Sequence, residues 1–247
     1  MKNLKFAVLF FLLPSNLFSM HIMEGFLPPL WAGFWWLAAL PFIWLGIVSV
    51  KKIVTAKPEL KPLIAMAGAF AFVLSALKIP SVTGSSSHMT GVALGTLLFG
   101  PFTMALLGFI VLLFQALLLA HGGLTTLGAN TISMAVAGPM MAYSVFTLCR
   151  KSGVNDRIGI FSAAFLCDIF TYVVTSAQLA LAHPAADGGA AVSLVKFLTV
   201  FAVTQIPLAV IEGLLTVVVF NILSSYAIDE MKVLGFMKLT LEEQYEK

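Results

Sequence analysis

Apolar runs of bilayer length, broken by short polar loops, follow one another from Leu30 to Leu223. That succession constrains the fold more than any single residue does. A membrane span takes about 20 mostly apolar residues, so a chain of 247 residues filled in this way has no space left for a soluble domain. Charged residues make up only 10% of it, against about 25% in soluble proteins. The expected fold class is all-α, a polytopic integral membrane helical bundle, and ATP-binding or nucleic-acid-binding domains are excluded on space. No GxxxxGK[ST] phosphate loop occurs, so the chain supplies no ATP-derived energy itself. The net charge of +3 sits in loops and a tail where topology accounts for it. Cys149 and Cys167 form neither a CxxC pair nor a disulfide framework.

Residues 1–19 read as a signal peptide, with an uncleaved anchor, disfavoured by its short apolar run, as the competing reading. Lys2 and Lys5 give a basic start, Phe6 to Leu13 an apolar stretch too short to span, and Ser15 to Ser19 a polar exit ending in a small residue. Cleavage after Ser19 leaves Met20 as the mature amino terminus, outside the cytoplasm. Basic residues then set the orientation. Lys51, Lys52, Lys57 and Lys61 follow the run Leu30 to Val50, and Arg150, Lys151 and Arg157 follow Thr131 to Leu148, which places both loops in the cytoplasm. Bringing Arg150 back inside requires a break in the apolar stretch 89–120. Gly100-Pro101 is the stop-and-start signal that supplies it. Seven spans are therefore expected: Leu30 to Val50, Leu63 to Leu77, a short one over 88–99, Phe102 to Ala120, Thr131 to Leu148, Ile158 to Ala182, and Val192 to Leu223, bent at Pro207. Residues 20–226 form the membrane domain, and 227–247 a cytoplasmic tail that reads as an amphipathic, solvated extension.

In this layout three histidine-bearing features share the external face: Met20-His21, the loop KIPSVTGSSSHMTG from Lys78 to Gly91, and the loop AHGGLTTLGAN from Ala120 to Asn130. Because the span after the first loop is short, part of that loop dips to membrane depth, where irregular backbone is tolerated only against protein or a polar cavity. With Met20 as a free terminus, its amine and the His21 backbone nitrogen close a five-membered chelate on a metal, and the His21 imidazole closes a six-membered one. A second imidazole, best supplied by His88, completes a nitrogen plane that suits late divalent transition metals and not Mg²⁺ or Ca²⁺. A metal-bound imidazole needs its other ring nitrogen fixed, and Ser86, Ser87 or a loop carbonyl is placed to do this for His88. His121, in HGG, reads as a helix-end histidine favoured by the dipole before a glycine turn. With Asn130 it is expected to support the metal rather than bind it. His183, before Pro184, reads as a loop residue.

Within the spans the acids are Asp168 and Glu212, accompanied by Gln115, Gln178 and Gln205. Intramembrane carboxylates are functional suspects, yet without a chain of intramembrane lysines or arginines these two make a thin proton relay. Hydrogen bonds in helix packing are the expected role. The small residues Ala65, Ala67, Gly68, Ala69 and Ala71 read as close helix packing.

The segments MHIMEGFLPPLWA, KIPSVTGSSSHMTGVALGTLLFGP, LLLAHGGLTTLGANTISMAVAGP and TQIPLAVIEGLLT together resemble the CbiM family, the substrate-binding S components of cobalt energy-coupling-factor (ECF) ABC transporters, over nearly the whole mature chain. The resemblance implies a metal-binding membrane subunit, not an enzyme, with Co²⁺ as cargo and no organic cofactor. It also implies a transmembrane T component (CbiQ-like), cytoplasmic ATPase subunits (CbiO-like) and a small auxiliary membrane protein (CbiN-like), which together feed cobalamin synthesis. The family's ligand positions fall on Met20, His21 and His88. The nickel-binding NikM proteins share the amino-terminal signature, and SSSHMTG looks more like the cobalt branch. Two alternatives from other classes are a self-sufficient secondary metal transporter and a membrane metalloenzyme, for which Glu24 is the one acid near the ligands.

Overall fold

Helices occupy the apolar runs in the computed structural model, which describes residues 21–80 and 86–236. The expected signal peptide, Met20 and residues 237–247 lie outside the described residues. The helices are α1 (Pro29–Ala56), α2 (Lys61–Ala76), α3 (Val92–Phe99), α4 (Pro101–Leu118), α5 (Leu127–Lys151), α6 (Asp156–Ala182), α7 (Gly189–Tyr226) and the short α8 (Ile228–Val233). Proline in the first turn starts α1, α2 and α4, where its missing N–H costs no helical hydrogen bond. The Asn155 side chain caps α6 by accepting from the Arg157 N–H.

Among the described residues, six helices are long and apolar enough to cross a membrane, counting the 3-10 turn Pro58–Leu60 with α2. The break expected at Gly100-Pro101 is present, with Gly100 at a φ of 85° between α3 and α4. The short span over 88–99 is not a span. Its helical part, α3, has eight residues and rises about 12 Å, well under the ~30 Å of a hydrocarbon core. Residues 88–91 are non-helical, and Gly91, at a φ of 67°, starts the helix. The segment 86–91 and α3 together carry the chain from one end of the bundle to the other.

Contacts define those ends. Near the last turns of α2 and α4, Gln115 Nε2 donates to Ser75 Oγ at 2.6 Å, so the two helices run parallel. Trp36 on α1 donates to the Leu124 carbonyl at the same end. At the opposite end Lys57 Nζ donates to the Val233 carbonyl at 2.6 Å, and Phe236 packs on Phe146 and Phe220. The first part of the tail is thus not solvated. Met231 is buried, and Val233, Leu234 and Phe236 lie against the core, because this segment carries its own apolar face.

Of the small residues in α2, Ala67 and Ala71 face inward and Ala65 and Ala69 outward. A Cβ on Gly91 would stand 2.7 Å from the Ala71 Cα, so the dipping segment meets α2 at a distance only glycine allows. Outward-facing Leu37, Trp44, Val203 and Leu214 suit a lipid surroundings. Asp168 and Glu212 are fully buried inside the bundle.

Candidate metal centre

Three stretches far apart in sequence meet at one end of the bundle and bury His21, His88 and His121. One ligand-capable atom from each lies within 4.8 Å of the others. The ring centroids are 4.3 Å apart for His21 and His88, 4.5 Å for His21 and His121, and 5.0 Å for His88 and His121.

Each histidine is placed by its own local device. His21 is held through its neighbour. Asn130 on α5 accepts from the Ile22 N–H at 2.8 Å and donates back to the Ile22 carbonyl at 3.0 Å, and Thr126 Oγ1 donates to the same carbonyl at 2.6 Å. Asn130 ends the first turn of α5, just before a π-helical stretch Thr131–Ala137; such stretches often mark functional positions in helices. His88 follows a two-residue antiparallel ladder, Ile79 opposite Ser87 and Pro80 opposite Ser86. His121 sits on the turn that closes α4, where the N–H groups of Leu119 and His121 both donate to the Gln115 carbonyl. Ala120, at a φ of 46°, makes that turn, and a Cβ on Gly122, which follows at a φ of 77°, would stand 3.1 Å from Asn130 Nδ2.

Hydrogen bonds fix which nitrogen of two rings is free. Ser75 Oγ donates to the Ala71 carbonyl and therefore accepts from Gln115 Nε2. This turns Gln115 Oε1 toward His21, whose Nε2 lies 3.1 Å away and must donate. The proton sits on Nε2 and the lone pair on Nδ1, the nitrogen that closes a six-membered ring with the residue's own backbone nitrogen. His88 Nδ1 lies 2.8 Å from the Met89 carbonyl and must likewise donate, which leaves Nε2 as its free nitrogen. The Nε2 atoms of His88 and His121 are buried without a hydrogen-bond partner, an arrangement that costs free energy unless something else satisfies them.

The rings are neutral. Burial pushes His88 down to about 4, helped by the positive charge of Lys78. Burial pushes His121 down to about 2, with His88 and Lys78 adding to the effect. Burial also holds His21 well below the ordinary range, with His88 and His121 disfavouring a charge there further. Neutral imidazoles with unpaired, convergent lone pairs are the form in which histidine binds a metal. The donor set is all nitrogen among the described residues, which suits late transition ions and not oxygen-preferring ones.

Against the sequence expectations, His21 and His88 come together as anticipated, and the loop carbonyl of Met89 orients His88. Ser87 does not: its hydroxyl pairs with Thr204 Oγ1 at 2.7 Å. The Ser86 side chain and Met20 lie outside what is described. Asn130 is bonded to both backbone groups of Ile22, next to His21. His121 stands slightly farther from the other rings, at 4.5 and 5.0 Å, than they stand from each other, at 4.3 Å, and its lowered pKa makes it neutral rather than a dipole-stabilised cation. His183 stays apart, bonded through Nε2 to the Phe26 carbonyl. Gln115 and Ser75 orient His21, a role the sequence does not reveal beyond marking Gln115 as a strongly polar residue in an apolar span.

A family model described as "Cobalt uptake substrate-specific transmembrane region" (CbiM) matches residues 21–230. The chain belongs to this family. It is 59% identical over 235 residues to the cobalt transport protein CbiM of Anoxybacillus flavithermus, covering 95% of this chain and 94% of that one. It is 62% identical over 221 residues to the cobalt transport protein CbiM of a Nostoc species, covering 90% of this chain and 85% of that one. A crystallised transition metal transporter shares the fold at a TM-score of 0.71 and 24% identity, covering 87% of this chain and 96% of that one. Like its relatives, this member of the family is a multi-pass bacterial membrane protein.

Proposed function

We propose that this chain is the substrate-specific membrane subunit of an ECF-type importer, capturing Co²⁺ at its external face and delivering it inward for cobalamin synthesis. The observation that carries the proposal is the convergence of three neutral, buried imidazoles at one end of the bundle, with Nδ1 of His21 and Nε2 of His88 left free by hydrogen bonds elsewhere. The ligands are the Met20 amine, the backbone nitrogen and Nδ1 of His21, and Nε2 of His88. His121 borders them and Asn130 holds the terminal segment in place. The external side follows from the basic residues Arg150, Lys151 and Arg157 at the opposite end. The cobalt transport proteins to which the chain is similar support cobalt as the cargo. Ni²⁺, which nitrogen ligands also favour, is the second ion to consider. Energy comes from partners: a CbiQ-like T component, CbiO-like ATPases and a CbiN-like auxiliary subunit.

The other two classes fit less well. A metalloenzyme needs a general base beside its metal, and Glu24 is exposed and accepts from the Thr125 N–H at 3.1 Å. A secondary transporter needs charged groups along a polar path, and Asp168 and Glu212 are engaged in hydrogen bonds to the protein. Metal analysis of the purified mature protein, from cells grown with Co²⁺ and Ni²⁺ at equal concentration, tests the assignment. Stoichiometric cobalt is expected. Predominant nickel would move the chain to the nickel branch, and absence of both would overturn metal capture.

A further inference from the structure

The backbone from His88 to Gly91 is irregular and buried, so its polar groups must be satisfied by protein. One helix supplies most of what satisfies them. Glu212 on α7 accepts from the Thr90 N–H at 2.5 Å, the Thr90 hydroxyl at 2.7 Å and the Gly91 N–H at 2.9 Å. Gln205, two turns earlier on the same face of α7, donates through Nε2 to the His88 carbonyl at 3.0 Å. Asp168 on α6 orients that amide, accepting from the same Nε2 at 2.8 and 2.7 Å through its two oxygens. Pro207 lies between the two α7 residues, at a point where the helix lacks one backbone hydrogen bond.

We infer that Glu212 and Gln205 are positioning residues that latch the His88 segment to α7 and hold its imidazole in the metal-capturing place. A movement of α7 that breaks these bonds leaves buried backbone groups at His88, Thr90 and Gly91 unpaired, which costs free energy for each. The segment therefore follows α7, and His88 is displaced from His21 when α7 shifts. Neither carboxylate is needed as a proton carrier or as a ligand in this role. The two acids that looked surplus to metal binding thus connect the capture site to a long helix, giving it a route for release. The inference rests on metal capture at His88 as proposed above.

The test uses the full chain, purified and loaded with Co²⁺ alone, and follows release into excess chelator. Glu212→Gln replaces one acceptor oxygen with a donor facing donors, and Gln205→Met removes the donor to the His88 carbonyl at similar size. Both variants are expected to release metal about tenfold or more faster than the parent, with the absorption spectrum of the bound ion unchanged because its ligands are intact. A role confined to fold stability would lower the melting temperature of the metal-free protein and leave the release rate of the folded fraction unaltered. Parental release rates in both folded variants would overturn the latch. Failure of the parent chain to retain metal would overturn the proposed function instead, and the two failures are separable.

Discussion

His21 Nε2 donates to Gln115 Oε1 at 3.1 Å, and this single contact decides which face of the His21 ring is available to a metal. Only Nδ1 can join the ring's own backbone nitrogen in a six-membered chelate. Gln115 is itself held by Ser75, so the tautomer is set from α2 through α4 to the amino-terminal segment. Gln115→Leu removes the acceptor without adding charge. It should weaken metal affinity by roughly 10- to 100-fold, the usual cost of losing such a partner. Competition titration against a chelator of known affinity measures this, and unchanged affinity would mean that the ring is oriented by something else.

His88→Ala should abolish high-affinity binding while leaving membrane insertion intact, because it deletes a ligand without altering any span. His121→Ala should weaken binding only partially, since its ring borders the metal. The pair belongs in one titration experiment. Loss as complete for His121→Ala as for His88→Ala would promote His121, with its unpaired Nε2, to a ligand.

The buried histidines also make metal-free stability depend on pH. Their folded values are lowered, to about 4 for His88 and about 2 for His121, whereas in the unfolded chain each protonates near the ordinary value of about 6.5. Below that value the unfolded state binds more protons than the native one, so stability falls as pH falls. The histidine contribution is intact above about 6.5 and drains away toward 4. Melting temperatures of the metal-free protein across that window should decline, and His88→Ala should flatten the decline. An unchanged profile in His88→Ala would contradict the burial of a neutral ring at that position.

Much of the architecture was legible because membrane spans announce themselves by length and composition. The Gly100-Pro101 break follows from a stop-and-start pair, a glycine free to take the positive φ that ends α3 and a proline whose fixed φ suits the first turn of α4. What stayed hidden was tertiary satisfaction of polar groups. Nothing in the sequence around Glu212 indicates that its carboxylate meets the Thr90 and Gly91 amides, since they are 122 and 121 residues away. The burial of His121 is hidden for the same reason. HGG reads as a helix-end histidine before a glycine turn, and only the packing of α5 and the amino-terminal segment around it shows that the ring is buried. The half-length α3 is foreshadowed by the shortness of 88–99, but the close approach of Gly91 to Ala71 just before its start at Val92 is a contact between the non-helical segment and α2 that the sequence does not show.

The most demanding prediction concerns the mature terminus. The proposed chelate uses the Met20 amine and the His21 backbone nitrogen, and the clamp of Asn130 on Ile22 fixes the chain one residue beyond. Because burial already keeps the imidazoles neutral, protons compete with metal mainly at the amine, whose unperturbed pKa is about 7.7–8.0, and at the backbone nitrogen. Affinity should therefore fall as pH drops from 9 to 6, without a separate inflection near 6.5 from the histidines. Geometry adds a stricter requirement. One residue inserted between the cleavage site and Met20 retains every side chain, yet it moves the free amine out of the five-membered ring. With cleavage after Ser19 established by mass spectrometry, the insertion should cost orders of magnitude in affinity. Near-parental binding by the lengthened protein would show that the terminal amine is not a ligand, and would reduce the contribution of His21 to its imidazole alone.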